Sequence, residues 1–430
     1  MILIKLLLII FSFGNFFYEM LTYALILHQR KKPLPDTIKD IYPEKRYQTF
    51  LAYKKDYRKI FIFEQVFTLC LQLFCILSPF YTWLQDANPY ICLLKTVLVF
   101  IAIECVSDLP ISYYSTFTIE EKYGLNHQTK KDFFKDVCIE KITEFLMLSI
   151  LFAFLIGVAT HLEDWTHHFS ISFAQAFLIG LLIAAAGFII MTLLSLFSLA
   201  AMRLQYKFTE LEDGSLRQQI LTFLKESRKK VHHIKVYDES KKTNSKNAFL
   251  LKFLGYREFG IADNFLEENS QDELYAVLLH EIGHLKHKKN LWNYTQYAFG
   301  IALFLGLVWL ISHAPVVLTF NGMINTEFHL SYTNYYLTLS IFLTFCKPFL
   351  FLWNLFRNYV SCKEEQEADF NAVDHGYGQA LIQTFKKISS DELMDINPHP
   401  LIELIEYDHP GMYKRISYIQ KRMKKGNVAV

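Results

Sequence analysis

Residues 171–201 read ISFAQAFLIGLLIAAAGFIIMTLLSLFSLAA, a run of 31 residues without a single charged side chain. A helix needs about 20 predominantly apolar residues to cross the hydrocarbon core of a bilayer. Six further apolar runs predict spans at about 4–28, 60–84, 91–116, 142–161, 292–312 and 335–356. The sequence therefore predicts an α-helical multi-pass membrane protein with seven transmembrane helices.

The composition indicates a membrane protein with a sizeable soluble part. Of 430 residues, 52% are hydrophobic and 20% are charged, whereas ordinary soluble domains carry about 25% charged residues. The net charge of +2 argues against a nucleic-acid-binding protein, which would carry a strong basic excess. The seven cysteines show no CxxC spacing, which argues against a disulfide framework or a cysteine-ligated zinc site.

The distribution of Lys and Arg predicts which side of the membrane each loop faces. The loops 29–59 and 117–141 are rich in both, whereas loops 85–90, 162–170 and 313–334 contain neither. Alternate loops should therefore lie on opposite sides, with the N-terminus outside and the basic loops in the cytoplasm. The first apolar run is longer than a signal-peptide core and is expected to be a retained anchor.

The chain is expected to alternate between membrane and cytoplasmic segments. We expect five spans in residues 1–201, a cytoplasmic block at 202–290, two more spans in 291–356 and a second cytoplasmic block at 357–430. Neither block is large enough to bury a good core alone, so the two should form one domain.

The first cytoplasmic block is predicted to be mostly helical with a small β-element. The predicted elements are a helix near 215–230, strands at His233–Tyr237, Asn247–Phe253 and Glu258–Ala262, and a helix from about 272. Ser270 and Glu273 form the pattern of a capping box, which marks the start of that last helix.

Five acidic residues fall within or at the ends of the predicted spans: Glu19, Glu64, Glu104, Asp108 and Glu144. Ionisable groups at membrane depth usually face a protein interior or a water-filled cavity. Each could instead lie near an interface or pair with a neighbour, and the sequence leaves both interpretations open.

The chemistry is indicated by His280-Glu281-Ile282-Gly283-His284, an H-E-x-x-H pattern on the last helix of the first cytoplasmic block. Spacing of i and i+4 places both imidazoles on one helix face, where they can share a metal ion. Zinc would lower the pKa of a coordinated water toward about 7, and Glu281 could take its proton. Such patterns also arise by chance, but a mid-helix glycine costs about 1 kcal/mol relative to alanine and indicates a close neighbour.

A catalytic zinc site needs a third protein ligand and an open fourth position. The second cytoplasmic block begins with a helical segment that holds four candidate acids: Glu364, Glu365, Glu367 and Asp369. Periodicity does not select one of them, although only Glu365 and Asp369 form an i, i+4 pair. Such a pair could place one carboxylate on the metal and the other on the far nitrogen of a ligand histidine.

Two further polar residues stand out in the C-terminal tail. His409 could donate a hydrogen bond to the oxyanion of a hydrolytic reaction, and Arg415 could orient an acid or the substrate terminus. A His-Pro pair is more often part of a turn, so the residues alone assign neither role.

Together these motifs resemble those of the integral-membrane CAAX prenyl protease family, the a-factor-converting zinc metalloendopeptidases. The co-linear matches are Phe117–Thr129, Phe208–Leu211, Gly214–Leu216, Asn247–Phe249, His280–His284, Ser361–Ala372 and His409–Arg415. The departures from the family pattern are Glu210 for a proline, Thr243–Lys246 for S-x-H-S, Leu285 for an aromatic residue and Cys362 for an arginine.

The resemblance implies a zinc endopeptidase with one Zn²⁺ per chain. In this reading His280, His284 and Glu365 are the ligands and Glu281 is the general base. Asp369 would support a ligand histidine. The expected reaction removes the last three residues of prenylated CAAX proteins, with membrane lipids as the surroundings.

The resemblance also implies an architecture and a mode of substrate binding. The helices would form a barrel round a water-filled chamber, capped by the zinc domain on the cytoplasmic side. The substrate would add as a strand beside Asn247 and Ala248, while His409 and Arg415 would support the oxyanion and the substrate.

Two other functions are weighed against CAAX processing. The first is a membrane-protein quality-control protease with no requirement for a prenyl group. The second is a non-catalytic scaffold or transporter with a degenerate zinc site. The expected location is the endoplasmic reticulum, with the inner nuclear membrane as a further site, for a eukaryotic protein, and the inner membrane for a bacterial one.

Overall fold

The computed structural model is mostly helical and describes residues 3–168, 172–226, 231–253, 256–284, 299–303, 305–306, 309 and 314–428. The helices up to residue 205 are α1 (Leu3–Gln29), α2 (Glu44–Leu77), α3 (Phe80–Leu84), α4 (Pro89–Tyr114), α5 (Lys130–His168) and α6 (Phe173–Gln205). A six-residue π-helix, Ser115–Glu120, continues α4.

The rest of the chain contains four short strands and eight helices among the described residues. The strands are β1 (Phe208–Glu210), β2 (His233–Tyr237), β3 (Ala248–Phe253) and β4 (Tyr256–Ala262). The helices are α7 (Ser215–Glu226), α8 (Asp263–Glu268), α9 (Gln271–Gly283), α10 (Ala314–Phe328), α11 (Tyr335–Asp374), α12 (Gly378–Asp391), α13 (Pro400–Glu406) and α14 (Met412–Val428).

Six of the described helices are long and apolar enough to cross a membrane: α1, α2, α4 with its π-helix, α5, α6 and α11. Large apolar side chains on these helices point outward, and Phe17, Phe188 and Phe349 are 65%, 69% and 74% exposed. Such a surface suits contact with lipid tails. The remaining predicted span, 292–312, lies largely outside the described residues.

Four predicted loops and one predicted span differ from the structure. The helix α5 (Lys130–His168) extends into the predicted loops 117–141 and 162–170. The predicted loop 29–59 becomes helical at Glu44, directly after Pro43, so α2 begins well before its apolar part. The predicted loop 313–334 contains α10. The predicted span 60–84 is interrupted at Ser78, because a proline at 79 disfavours helical geometry in the residue before it, and Ser78 is extended at ψ 170°.

The acidic residues predicted within the spans include a paired group. Lys141 Nζ lies 3.0 Å from Glu104 Oε2 and 2.8 Å from Glu144 Oε2. Polar side chains also line a cavity of about 200 Å³ between α1, α2, α4 and α11, where Asn15, Gln72 and Lys347 face it. The Lys141 group is an example of pairing with a neighbour, whereas none of the five acids lines this cavity, and the large water-filled chamber stays a prediction.

The four strands form one sheet in the order β1-β2-β4-β3. β2 and β4 are parallel, whereas β1 pairs with β2 and β3 with β4 in antiparallel register. β3 therefore occupies one edge of the sheet, and it also contacts α9. The predicted strands are present with slightly different bounds, while β1 and α8 were missed because each is too short to show a periodic pattern.

The helix α11 connects the membrane part to the soluble part. Its apolar half matches the predicted span 335–356, and the same helix continues for eighteen residues to Asp374. It packs against α9, α12, α13 and α14. The candidate acids at 364–369 therefore lie on a continuation of a helix that is long and apolar enough to cross a membrane.

Candidate metal centre

The helix α9 starts at the predicted capping box. Ser270 Oγ accepts a hydrogen bond from the Glu273 backbone N–H, and the Glu273 carboxylate accepts one from the Ser270 N–H. Leu278, Leu279 and Ile282 are buried at 2%, 0% and 2% exposure. This apolar face packs into the soluble core and orients the histidines of the same helix toward α11.

His280, His284 and Glu365 meet at the contact between α9 and α11. The two Nε2 atoms lie 3.3 Å apart. Glu365 Oε1 lies 3.2 Å from His284 Nε2, and Glu365 Oε2 lies 3.4 Å from His280 Nε2. One ligand atom from each of the three residues falls within 4.8 Å of the others.

The geometry of this His-His-Glu group fits a tetrahedral zinc ion. Zinc bonds of about 2.0–2.1 Å at tetrahedral angles separate neighbouring ligand atoms by about 3.3 Å, which matches the separations of 3.2–3.4 Å. Glu365 is 5% exposed, and its Oε2 accepts no hydrogen bond from the described residues. Each carboxylate oxygen of Glu365 lies near one imidazole nitrogen, and Oε2 also lies 3.4 Å from Arg415 Nη2. A cation bound between the two imidazoles and this buried carboxylate would complete the donor set.

Asp369 lies one helical turn beyond Glu365 and is completely buried. Its Oδ1 lies 2.8 Å from His280 Nδ1 and 2.6 Å from Arg415 Nη2. Its Oδ2 accepts hydrogen bonds from Arg415 Nε at 2.9 Å and from Tyr418 Oη at 2.5 Å. The Asp369 carboxylate therefore lies beside Nδ1 of His280, while Nε2 of the same ring faces the His-His-Glu group.

The environment of Asp369 holds its two donors in fixed protonation states. Burial alone would lower the pKa of Arg415, but the charge and hydrogen bonds of Asp369 outweigh it and raise that pKa. Burial and then the negative charge of Asp369 raise the pKa of Tyr418, so its hydroxyl stays a neutral donor. Arg415 is 5% exposed and donates its hydrogen bonds to Asp369. An acid was one of the two partners that the sequence predicted for it.

The structure places His409 beside the His-His-Glu group but on its exposed side. Its Nε2 lies 3.3 Å from Glu365 Oε1, its Nδ1 lies 2.8 Å from Asp408 Oδ1, and the side chain is 56% exposed. Glu281 lies between the two histidines of α9 and is half-buried. Asn247 and Ala248 lie at the start of the edge strand β3, where Asn247 is exposed.

Gly283 allows the close approach of α9 and α11. A Cβ atom at this position would lie 2.7 Å from Ala368 Cα and 3.1 Å from Ala368 Cβ. One turn earlier on α9, the Leu279 carbonyl accepts a 2.6 Å hydrogen bond from Asn371 Nδ2. A glycine within a helix is less favourable than alanine, which predicted a close neighbour for Gly283. That neighbour is Ala368 of α11.

Replacing Gly283 with alanine is expected to push α9 and α11 apart. The collision is with backbone, which cannot rotate away, so we expect about 1–3 kcal/mol of destabilisation and weaker metal binding. Thermal unfolding and competition with a zinc chelator measure both. Gly322→Ala on α10 is the matched control, since its Cβ would meet nothing within 4 Å. Equal behaviour of the two variants would contradict the close-contact role of Gly283.

Two residues of this site, Tyr418 and Asn371, were missed by sequence reasoning. Tyr418 lies three residues after Arg415 on α14, so the two share a helix face, and this spacing was the available signal. Asn371 carried no signal, because its partner is a backbone carbonyl 92 positions away in sequence.

Two family models together match most of the chain. The model of the CAAX prenyl protease N-terminal region, described by five membrane helices, matches residues 23–197. The model of peptidase family M48 matches residues 210–423. The boundary between them falls where α6 ends and β1 begins.

Relatives from two yeasts are similar along nearly their whole length. The chain is 27% identical to the probable CAAX prenyl protease 1 of Schizosaccharomyces pombe, over 94% of this chain and 88% of that protein. It is 25% identical to CAAX prenyl protease 1 of Saccharomyces cerevisiae, over 96% and 95%.

A solved structure shares the fold. The crystal structure of S. mikatae Ste24p superposes with a TM-score of 0.78 at 23% identity, covering 97% of this chain and 99% of that one. This match confirms the predicted helical multi-pass membrane architecture. The two family models and the yeast relatives confirm the predicted family: the chain belongs to the membrane-embedded CAAX prenyl proteases of peptidase family M48.

Proposed function

We propose that this protein is a zinc-dependent membrane endopeptidase that cleaves prenylated CAAX proteins near the C-terminus and removes the last three residues. The observation that carries the proposal is the His280, His284 and Glu365 group with Glu281 on the same helix. Membership of the CAAX prenyl protease family supports the choice of substrate.

The proposed chemistry divides between the ion and the protein. A bound zinc ion would polarise the peptide carbonyl and make water a stronger nucleophile at neutral pH. Glu281 would accept the proton of the attacking water and later donate it to the leaving amine. His409, which is exposed beside Glu365, would donate a hydrogen bond to the developing oxyanion.

The other polar residues would act by holding these groups in place. Asp369 would fix the tautomer and ring orientation of His280 through the 2.8 Å contact. Arg415 and Tyr418 would in turn hold Asp369. We therefore assign Arg415 to positioning Asp369 rather than to the substrate terminus, since its guanidinium is buried.

The edge strand β3 would receive the substrate backbone. An edge strand presents unpaired N–H and C=O groups to which an extended peptide can add as a further strand. β3 contacts α9, the helix of the metal centre, so a peptide paired with Asn247 and Ala248 would run toward Glu281.

The proposed orientation places the metal centre in the cytoplasm and the N-terminus on the opposite side. The absence of Lys and Arg from loops 85–90, 162–170 and 313–334 supports it. The family supports the endoplasmic reticulum membrane as the location in a eukaryotic cell. A protease-protection assay on sealed vesicles tests the orientation of the C-terminal tail.

The decisive experiment compares a farnesylated CAAX peptide with the same peptide unmodified. Detergent-purified protein, with zinc counted per chain, should release the tripeptide from the farnesylated peptide and lose this activity in a chelator. Equal cleavage of both peptides would instead favour a quality-control protease. One zinc per chain with no cleavage of either peptide would contradict the substrate, and purified protein without zinc would contradict the metal site.

A further inference from the structure

We propose that Lys246 is a positioning residue for the substrate, because it anchors the segment that leads into the edge strand β3. The role in substrate binding rests on the proposed function, whereas the anchoring itself does not. The leading segment comprises residues 243–247, and it is where this chain departs from the family pattern.

Lys246 is a buried cation two residues before β3, a strand whose residues 248–251 are half-buried. Its side chain is 2% exposed, and its Nζ binds the carboxylates of Asp391 and Glu268, the latter at 2.7 Å. Glu268 ends α8 and Asp391 ends α12. One side chain therefore ties the leading segment to both cytoplasmic halves of the protein.

The backbone of the leading segment is held by a second acid. Glu392 Oε1 accepts hydrogen bonds from the Lys246 N–H at 2.8 Å and from Ser245 Oγ at 3.2 Å. Asn264 Nδ2 donates to the Ser245 carbonyl at 2.9 Å. The Asn247 carbonyl accepts the Ala262 N–H at 2.9 Å, which sets the register of β3 on β4.

Asp391 and Glu392, which hold Lys246 from α12 and its end, belong to a segment that is itself anchored to residues 30–46. Tyr42 Oη donates to the Ser389 carbonyl at 2.7 Å, and Arg46 Nη2 donates to the Ser390 carbonyl at 2.6 Å. Arg30 Nε and Nη2 both donate hydrogen bonds to Asp395 Oδ2, at 3.0 and 2.9 Å. These contacts hold Asp391 and Glu392 in place relative to α1 and α2. The ion pair of Lys246 with Asp391 then holds the segment that precedes β3.

This arrangement matters for substrate binding because the proposed contact surface is backbone. Strand addition requires the N–H and C=O groups of the edge to keep their spacing and direction. Freeing the leading segment removes no direct contact of the His-His-Glu group, since neither this group nor α9 contains a partner of Lys246. The expected defect is therefore in binding the peptide and not in the chemical step.

The test replaces Lys246 with methionine, which keeps an unbranched side chain one heavy atom shorter and removes the charge. We expect KM for the farnesylated peptide to rise about tenfold, while kcat and the zinc content stay near those of the wild type. Lys246→Arg, which keeps the charge, should restore much of the affinity. Lys241→Met is the matched control, because Lys241 lies five residues before Lys246, is 67% exposed and pairs with Asp238.

Hydrogen–deuterium exchange of the Ala248–Phe253 amides tests the anchoring without any activity. Lys246→Met should accelerate exchange in β3 and leave α9 unchanged. If that variant fails to fold, Asp391→Asn combined with Glu268→Gln, at two half-exposed partners, provides the same test.

The outcomes separate this inference from the proposed function. Unchanged exchange in β3 would overturn the anchoring, whether or not the protein cleaves peptides. Faster exchange with an unchanged KM in an active enzyme would overturn the role in substrate binding. A wild-type protein that cleaves no peptide would refute the proposed function and the substrate role together, and exchange would still decide the anchoring.

Discussion

Replacing Glu281 with glutamine is expected to lower kcat by about 10³- to 10⁴-fold, the upper part of the range for loss of a general acid–base group. Glutamine keeps the size and hydrogen-bonding shape of the side chain but cannot accept and return a proton. Both imidazoles and Glu365 remain in place, so the zinc content should stay at one per chain. Steady-state kinetics on the farnesylated peptide and metal analysis measure the two quantities.

The matched control for Glu281→Gln is Glu267→Gln, an exposed residue of α8 near the start of α9. This control should cleave at the wild-type rate, since it removes a carboxylate without touching the metal centre. A Glu281→Gln protein that retained its zinc and cleaved within tenfold of the wild type would show that another group serves as the base. Loss of zinc together with activity would instead assign Glu281 to metal binding.

Replacing Asp369 with asparagine is expected to have the largest effect on stability. The substitution removes the negative charge from a fully buried site and leaves Arg415 without its principal partner. Breaking a buried ion pair by removing one member costs about 3–5 kcal/mol. The neutral amide also supports His280 less well, and loss of such a partner typically weakens metal binding about 10- to 100-fold.

Two measurements and one control check the effect of Asp369→Asn. Thermal unfolding in the presence of a chelator reports the loss of the ion pair alone, and competition with a zinc indicator reports the loss of metal affinity. Asp374→Asn is the matched control, because Asp374 and Arg422 pair between the same two helices at 3.0 Å but are about half exposed. Exposed pairs contribute little, so the control should resemble the wild type. Similar behaviour of the two variants would contradict the buried role of Asp369.

The membrane helices and the H-E-x-x-H helix could be predicted because their signals are local. An apolar run of sufficient length predicts a span wherever it occurs, and the i, i+4 spacing brings His280 and His284 together on one helix face. The capping box at Ser270 is likewise complete within four residues. The exceptions arose at Pro43 and Pro79, where the backbone starts or interrupts a helix independently of its apolar pattern.

The third metal ligand could not be selected from helical periodicity, because residues 364–369 contain four acids. The resemblance to a family was needed to prefer Glu365. In the structure the choice follows from packing: Gly283 lets α11 approach α9, which brings Glu365 within 3.4 Å of both histidines. Contacts between helices far apart in sequence depend on the whole core and have no local signature.

The sequence alone determined that the chain spans a membrane, that it carries a metal-binding helix and which family it belongs to, since these depend on composition, short spacings and motifs. Only the tertiary structure decided how the acids are used. In the structure Asp369 contacts His280, Arg415 and Tyr418. His409 is exposed beside Glu365, and Lys246 is buried just before an edge strand. Each of these contacts joins residues at least 20 positions apart, and only a folded core brings such residues together.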